Sequence, residues 1–515
     1  MGLAHLGPPV AMEPTGPARF VAELDDLFRA ERAMKTVAFA DGFYRVRGSD
    51  GYNAVLEHLQ VQLRDAGFGS NTHLQLESWT LDGAYDCWTP VRGRVEMNTG
   101  IGVEPLHAFE DESDTDRLML PMGAPACDVT GPVVFRVRDV EEGSILVTAA
   151  PPQADILRRA KLGGAVAVLS SSLASYNVLP GTTDHPENAL RLRRHPAGED
   201  LPAAMLSRNA HRRIEAAHRK FGSVEVRLRA EVKSSTGPLR MLVATIRGSQ
   251  APGEAVVVTS HVGYAGASDN ASGVGATLEC ATLLAGAIQS GKMQRPDRSL
   301  VFLWGPEVDQ SEAWLERSEL TSIAALTAIG CGDAAKSAGS PQYLERMPDP
   351  GALVTLLPDK HTQWGSDKVD PAIFQPNGLA QVARCALSDV SQHAGEWRTA
   401  DHPWEGGSDP DAFQEAGVPA VLFWHFTTPW YHTSLDRLGR IDPGELQRSA
   451  VATLSTAMAL ASPKLEDLGR YLRSVQLEEQ VRVRAALEAG DEELAERWES
   501  WCAGARDWLR STCGG

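Results

Sequence analysis

The sequence predicts an α/β protein in which a mostly parallel sheet is flanked by helices, interrupted by an inserted α/β domain and followed by a helical C-terminal tail. Three observations lead there. Beyond Pro238, short apolar runs alternate with helical stretches, the pattern of parallel strands covered on both faces. Between residues 76 and 238 the pattern changes to short β-type runs separated by Gly, Pro and Asp. At 515 residues the chain is also too long for one hydrophobic core, so two or three domains are expected.

In order along the chain, residues 1–17 read as a disordered N-terminus. Residues 18–75 read as N-terminal helices of the main domain. There "GYNAVLEHLQVQLRDAG" sets Val55, Leu56, Leu59, Val61 and Leu63 on a broad apolar face before a glycine stop. In the insert, 76–238, the strands are "GPVVFRV", "SILVTAA", "VAVLSSS" and "VEVRLRAEV", and "QADILRRAKLGG" is a helix between two of them. The insert reads either as a lid over a cleft or as a structural addition. The main domain resumes over 239–462 with strands "MLVATIRG", "EAVVVTS", "SLVFLWG" and "VPAVLFW". Its helices are "ASGVGATLECATLLAGAIQSG", "SEAWLERSELTSIAAL" and "PNGLAQVARCALSDV". Residues 463–515 are charged and helical, an exposed tail or a packing helix.

The formal charge of −18, with no stripe of Lys and Arg, argues against a nucleic-acid or anionic-membrane surface. A peptide or small amide substrate fits better, and oligomeric state cannot be read. No secretory signal pattern and no apolar run of about 18 residues is evident, so neither export nor a membrane span is expected. The seven cysteines, scattered without CxxC spacing, read as reduced thiols of a cytoplasmic protein.

Candidate chemistry sits just past strand ends, where open sheets bind ligands. His261 follows "EAVVVTS", Asp269 lies in the loop before the next helix, Glu307 follows "SLVFLWGP", and His432 follows "VPAVLFW". Two histidines and two carboxylates on one rim make an N/O donor set suited to zinc or a similar ion. Each also has a plainer reading. Asp269 could cap a helix, either histidine could be a hydrogen-bonded loop residue, and Glu307 could end a strand in solvent. Trp304, Trp404, Trp424 and Trp430 lie around the rim, as an aromatic pocket or as buried core.

Residues 238–445 resemble the co-catalytic zinc aminopeptidase family, the metallopeptidase group that includes the glutaminyl cyclases. The resemblance rests on His261 with "ASDNASG", on "FLWGPEVDQSEAWL" and on "YHTSLD". "AGSPQYLERMPDP" and "EGGSDPDAF" resemble a bacterial branch, and the insert resembles a protease-associated domain. The resemblance implies His261, Asp269, Glu307 and His432 as metal ligands and Glu307 as the catalytic residue. It also implies Asp409, Asp436 and Tyr431 in the surroundings or the substrate pocket, where the rim position places Trp304 as well.

Four departures accompany it. Gly263 stands where an aspartate usually orients the first histidine, Val308 where a second glutamate is usual, Ile329 at a further aspartate ligand, and Pro410 where Ser-Asp-His has its histidine. These losses imply one zinc rather than two, with an ion-free site as the alternative. The resemblance leaves Asp269, Glu307 and His432 as a single-zinc triad like that of the glutaminyl cyclases; if Glu307 binds metal no neighbouring base remains, and if it is the base only two of that triad remain, with His261 open to recruitment. His402, His425, Asp309 and Asp333 are nearby substitutes. The function expected is a metallo-aminopeptidase-like hydrolase acting on a peptide or amide bond. The alternatives are a non-hydrolytic biosynthetic enzyme on the same fold, or an inactive homologue that binds a partner.

Overall fold

The computed structural model describes residues 14–178, 186–333, 340–359, 361, 369–426 and 428–514. Residues 1–13, most of the segment expected to be disordered, lie outside the described residues. Helices α1 (Ala18–Leu27), α2 (Ala30–Asp41) and α3 (Asp50–Asp65) open the fold, followed by β1 (Leu74–Thr80). Then come β2 (Tyr85–Asn98), β3 (Val103–Phe109), β4 (Cys127–Val134), β5 (Ile145–Thr148), α4 (Ala154–Leu162), β6 (Ala167–Ser170), β7 (Ala203–Met205), α5 (Arg208–Phe221) and β8 (Glu225–Gly237). The chain continues with β9 (Arg240–Ile246), β10 (Ala251–His261), α6 (Ala271–Gln289), β11 (Arg298–Gly305), α7 (Asp309–Arg317), β12 (Thr321–Ala328) and β13 (Gln342–Glu345). It closes with α8 (Leu379–Ala394), β14 (Thr399–His402), α9 (Pro410–Glu415), β15 (Ala420–His425), α10 (Pro443–Ala461), α11 (Leu465–Glu488) and α12 (Glu492–Gly514).

Two sheets result. The larger has the order β1-β9-β11-β10-β12-β15-β13-β14. Its centre, β11-β10-β12-β15, is parallel, while β9 and β13 join it antiparallel. The sheet is therefore mixed at both flanks. The smaller sheet, β3-β2-β8-β4-β5-β6-β7, takes only strands between Tyr85 and Gly237.

Alternation along the central strands builds a core on each face. Val256 and Val258 of β10, with Leu300, Phe302 and Trp304 of β11, face α6, α10 and the N-terminal helices. Val257, Val301 and Leu303 face Trp314 and Phe413 on the other side. Helix α6 is long and apolar enough to cross a membrane, but 83% of its apolar window is buried within the protein.

Some details differ from the sequence reading. Val61 is 51% exposed, while Val55, Leu56, Leu59 and Leu63 are buried, so the apolar face of α3 is narrower than expected. "SEAWLERSELTSIAAL" is not one helix, because α7 stops at Arg317 and Thr321 already starts β12. The β-branched and alanine-rich end of that run is claimed by pairing with β10, where burial overrides helix propensity. The C-terminal segment is a packed helical pair, with Tyr471, Val475, Trp498, Trp501, Cys502 and Leu509 buried in the main core.

Candidate metal centre

The site is assembled at the carboxyl ends of the parallel strands. His261 is the last residue of β10, and its register partner on β11 is Gly305, two residues before Glu307. Pairing in register therefore brings that histidine and that glutamate to one rim. Asp269 precedes Asn270, whose side-chain oxygen caps α6 by accepting from the Gly273 amide at 3.2 Å. The Asn270 amide group donates back to Ser260 Oγ at 3.0 Å and to the His261 carbonyl at 3.2 Å. One side chain thus ties the start of α6 to the end of β10. Gly273 is needed for this approach, since a Cβ there would lie 2.3 Å from the Ala328 carbonyl oxygen.

His432 arrives on the loop after β15. That loop is fixed by Asp436, which accepts from the Ser268 amide at 2.7 Å and the Asp269 amide at 3.1 Å. Gly266 lets it in, because a Cβ at 266 would lie 2.0 Å from Asp436 Oδ2. Burial pushes the Asp436 carboxyl up to about 7, against the two amides that favour its charge. Among the described residues the non-glycine positions with positive φ are Tyr264 (71°), Val308 (63°) and His432 (54°). All three border the site, and such backbone costs roughly 1–3 kcal/mol each unless the surroundings enforce it.

The four expected side chains converge. His261 Nε2 lies 3.4 Å from Asp269 Oδ1 and 3.5 Å from Glu307 Oε1. His432 Nε2 lies 2.8 Å from Asp269 Oδ2. Asp269 therefore stands between two imidazoles, one on each oxygen. Its side chain and that of His261 are buried, whereas Glu307 is 19% exposed and His432 28%. Ser408 Oγ donates to Glu307 Oε1 at 2.8 Å. Asp409 accepts from the Val308 amide at 2.8 Å and from Gln310 Nε2 at 2.7 Å, bracing the turn that carries Glu307. Burial pushes the Asp409 carboxyl up to about 6. Burial also acts to raise Asp269, but its His432 hydrogen bond and the charges of His432, His261 and Arg45 bring it below the ordinary range.

Whether these residues suit a metal ion can be tested on His261. It is fully buried, yet neither ring nitrogen has a hydrogen-bond partner. An imidazole left that way is costly unless something else satisfies it. Bonds of about 2.0–2.1 Å in a tetrahedral zinc site put neighbouring N and O donors about 3.3–3.4 Å apart. The His261–Asp269 and His261–Glu307 spacings are close to that edge. Among the described residues no group of three or more His, Cys, Asp or Glu is arranged to hold a metal ion, so the fit rests on donor chemistry and on the His261 ring, whose nitrogens lack hydrogen-bond partners. Gly263 explains part of that: no side chain reaches the imidazole from this position, although a Cβ there would meet nothing closer than the Arg45 carbonyl oxygen at 3.9 Å.

Residues 242–319 match Peptidase family M28. This M28 segment includes His261, Asp269 and Glu307 but stops short of His432. The fold is similar to that of a zinc aminopeptidase from Bacillus subtilis, with TM-score 0.54 and 15% identity over 85% of this chain and 96% of the other. It is also similar to a Peptidase M28 precursor from Shewanella amazonensis, with TM-score 0.56 and 15% identity over 87% and 97%. At such identity the likeness is one of fold. No curated protein matches the chain.

The remaining expected residues are distributed unevenly. Tyr431 stacks on His432, ring centroids 3.9 Å apart. Trp304 does not line the opening: it is fully buried, with its indole N–H donating to Thr277 at 2.8 Å. Trp430 is also core, under the Arg440 guanidinium. Three of the four substitute ligands have partners elsewhere, and the fourth lies at a backbone bridge. Asp309 pairs with Arg47 at 2.8 Å, His425 Nδ1 meets the Gly330 carbonyl at 3.0 Å, His402 Nε2 faces Glu405 at 3.4 Å, and Asp333 is buried beside Ile441. Ile329 packs in an apolar cluster with Tyr176, Leu422, Trp424 and Phe426.

Sequence reasoning missed several residues. Tyr264 sets its ring 5.5 Å from both the His261 and His432 rings. Arg45, fully buried, donates to the Val262 carbonyl at 3.0 Å and the Gly266 carbonyl at 2.7 Å, holding the loop on either side of Gly263. Ser408 adjoins the flagged Asp409, but its bond to Glu307 spans 101 residues and leaves no local pattern.

Proposed function

We propose that this protein is a zinc-dependent hydrolase of a peptide or amide bond, working with one ion. The ion would be held by His261, Asp269 and His432, and Glu307 would take up the proton of the attacking water. The observation that carries the reading is the buried His261 ring, unpartnered at both nitrogens and facing two carboxylates. Zinc in such a set polarises a carbonyl and lowers the pKa of bound water. Two histidines and one carboxylate leave a position open for water or substrate. Glu307 is the more exposed of the two carboxylates and is steadied by Ser408, which suits a group that exchanges protons with an incoming molecule. The insert borders this opening, because Asn177 Nδ2 donates to the carbonyls of Pro429 and Tyr431, both at 2.9 Å.

The test separates ligand from base. Glu307→Gln should keep zinc and lose hydrolysis of peptide substrates, while Asp269→Asn should lose both. Full activity in Glu307→Gln would remove that residue from the reaction. A second reading, a partner-binding cleft without catalysis, is favoured by the direct His432–Asp269 contact, in which two of the proposed ligands bond each other. It predicts no stoichiometric metal and no turnover.

A further inference from the structure

The insert sends residues 190–195, LRLRRH, against the metal centre. Its backbone is fastened to the loop that carries His432. The Leu192 amide donates to the His432 carbonyl at 2.7 Å, the Ser434 amide donates to the Leu190 carbonyl at 2.8 Å, and Arg191 pairs with Thr433. Alternate residues of an extended segment face opposite ways. Leu190 and Leu192 are buried, which turns Arg191 and Arg193 to the other face.

That face adjoins the site. The Tyr176 hydroxyl accepts a hydrogen bond from the Arg191 side chain and lies within electrostatic reach of Arg193 and Asp269. Ring contacts connect Tyr176 to His432 through Tyr431, with centroids 5.7 Å and then 3.9 Å apart. Arg194 acts on the Tyr264 hydroxyl, which also feels Glu307 and Asp269. In a chain with 67 acidic and 49 basic residues, a carboxylate partner for each of these arginines would be unremarkable. Among the described residues the charges that act on Arg193 are those of Arg191 and Tyr176, with no carboxylate among them. Arg193 is half-buried, and burial followed by the neighbouring Arg191 charge lowers its pKa. Guanidinium groups crowded together without an anion bind carboxylates in bidentate fashion when one arrives.

We propose that Arg191 and Arg193 form an anion subsite beside the candidate metal centre, selecting peptides or amides that carry a carboxylate close to the scissile bond. This rests on the hydrolase reading for its reaction but not for its binding. The carboxylate could be an acidic side chain or a free C-terminus, and four dipeptide probes distinguish them: Ala-Glu, Ala-Glu-amide, Ala-Gln and Ala-Gln-amide. Binding to the full chain is measured by calorimetry and cleavage by mass spectrometry.

Expected is an advantage of about tenfold to a hundredfold for a charged probe over Ala-Gln-amide. The advantage should vanish in Arg191→Ala/Arg193→Ala, with Ala-Gln-amide unaffected. The single variants Arg191→Gln and Arg193→Gln carry the test if the double variant does not fold. Equal binding of all four probes, no binding of the charged ones, or an advantage that survives the substitutions would overturn the subsite. Selective binding without cleavage leaves the subsite standing and removes the hydrolase. Cleavage without selectivity does the reverse.

Discussion

Gly263 offers no side chain to the His261 ring, whose two nitrogens have no hydrogen-bond partner. If the site holds zinc as proposed, a carboxylate at position 263 should strengthen metal binding. Gly263→Asp has room for its Cβ and is expected to raise zinc affinity about tenfold or more, the usual weight of a group that orients a metal-bound histidine. Competition against a chelator measures this, and unchanged affinity would show that His261 is not a ligand. The motif residues His261, Asp269, Glu307 and His432 were legible because each ends a strand or sits in a recurring short pattern. Tyr264, Ser408 and Arg45 were not, since their contacts depend on which distant loops meet. Trp304 misled for the opposite reason: proximity in sequence to Glu307 suggested the opening, but strand alternation turns it into the core beneath α6.

At the scale of elements, α11 is tied to the rest of the fold by buried charges. Glu478 meets Arg384 at 2.8 Å and Arg482 at 2.9 Å, and Arg482 and Arg346 meet Asp359 at 2.9 and 2.7 Å. Burial alone would raise Glu478, but Arg384 and Arg482 outweigh it and hold its carboxyl down at about 2. Because the folded pKa lies below the unfolded one, this group stabilises the fold above pH of about 4.5. That contribution, roughly 3 kcal/mol, is lost as pH falls toward about 2. Thermal melting between pH 5 and 2.5 should show a falling Tm whose slope flattens in Glu478→Gln, and an unchanged slope would remove Glu478 from the network. Glu478→Ala at pH 7 should cost about 3–5 kcal/mol, as for any buried pair broken from one side, measured by urea unfolding. The alternating strands and helices after Pro238 were readable from apolar periodicity. This network was not, because one helix of a charged tail looks the same in sequence whether its charges face water or each other.

Across the whole molecule, the insert and the C-terminal helices complete the main domain. Trp498 is 1% exposed within the central core, so Trp498→Ala should cost about 3–5 kcal/mol, again by urea unfolding. A loss under 1 kcal/mol would mean that the helical pair docks only weakly. The α/β class was visible from the alternation of elements, while the antiparallel flanks of the large sheet were not, since strand direction at an edge is set by connections rather than composition. Backbone bonds hold residues 190–192 to His432 and Ser434, joining two segments more than 200 residues apart. All of these levels meet in one claim, that His261, Asp269 and His432 hold a divalent ion. Zinc quantified per chain by mass spectrometry, in protein purified without chelator, tests it most directly. The account predicts close to one zinc in the unaltered protein and none in Asp269→Asn, whereas a sub-stoichiometric trace in both, or equal zinc in both, would contradict it.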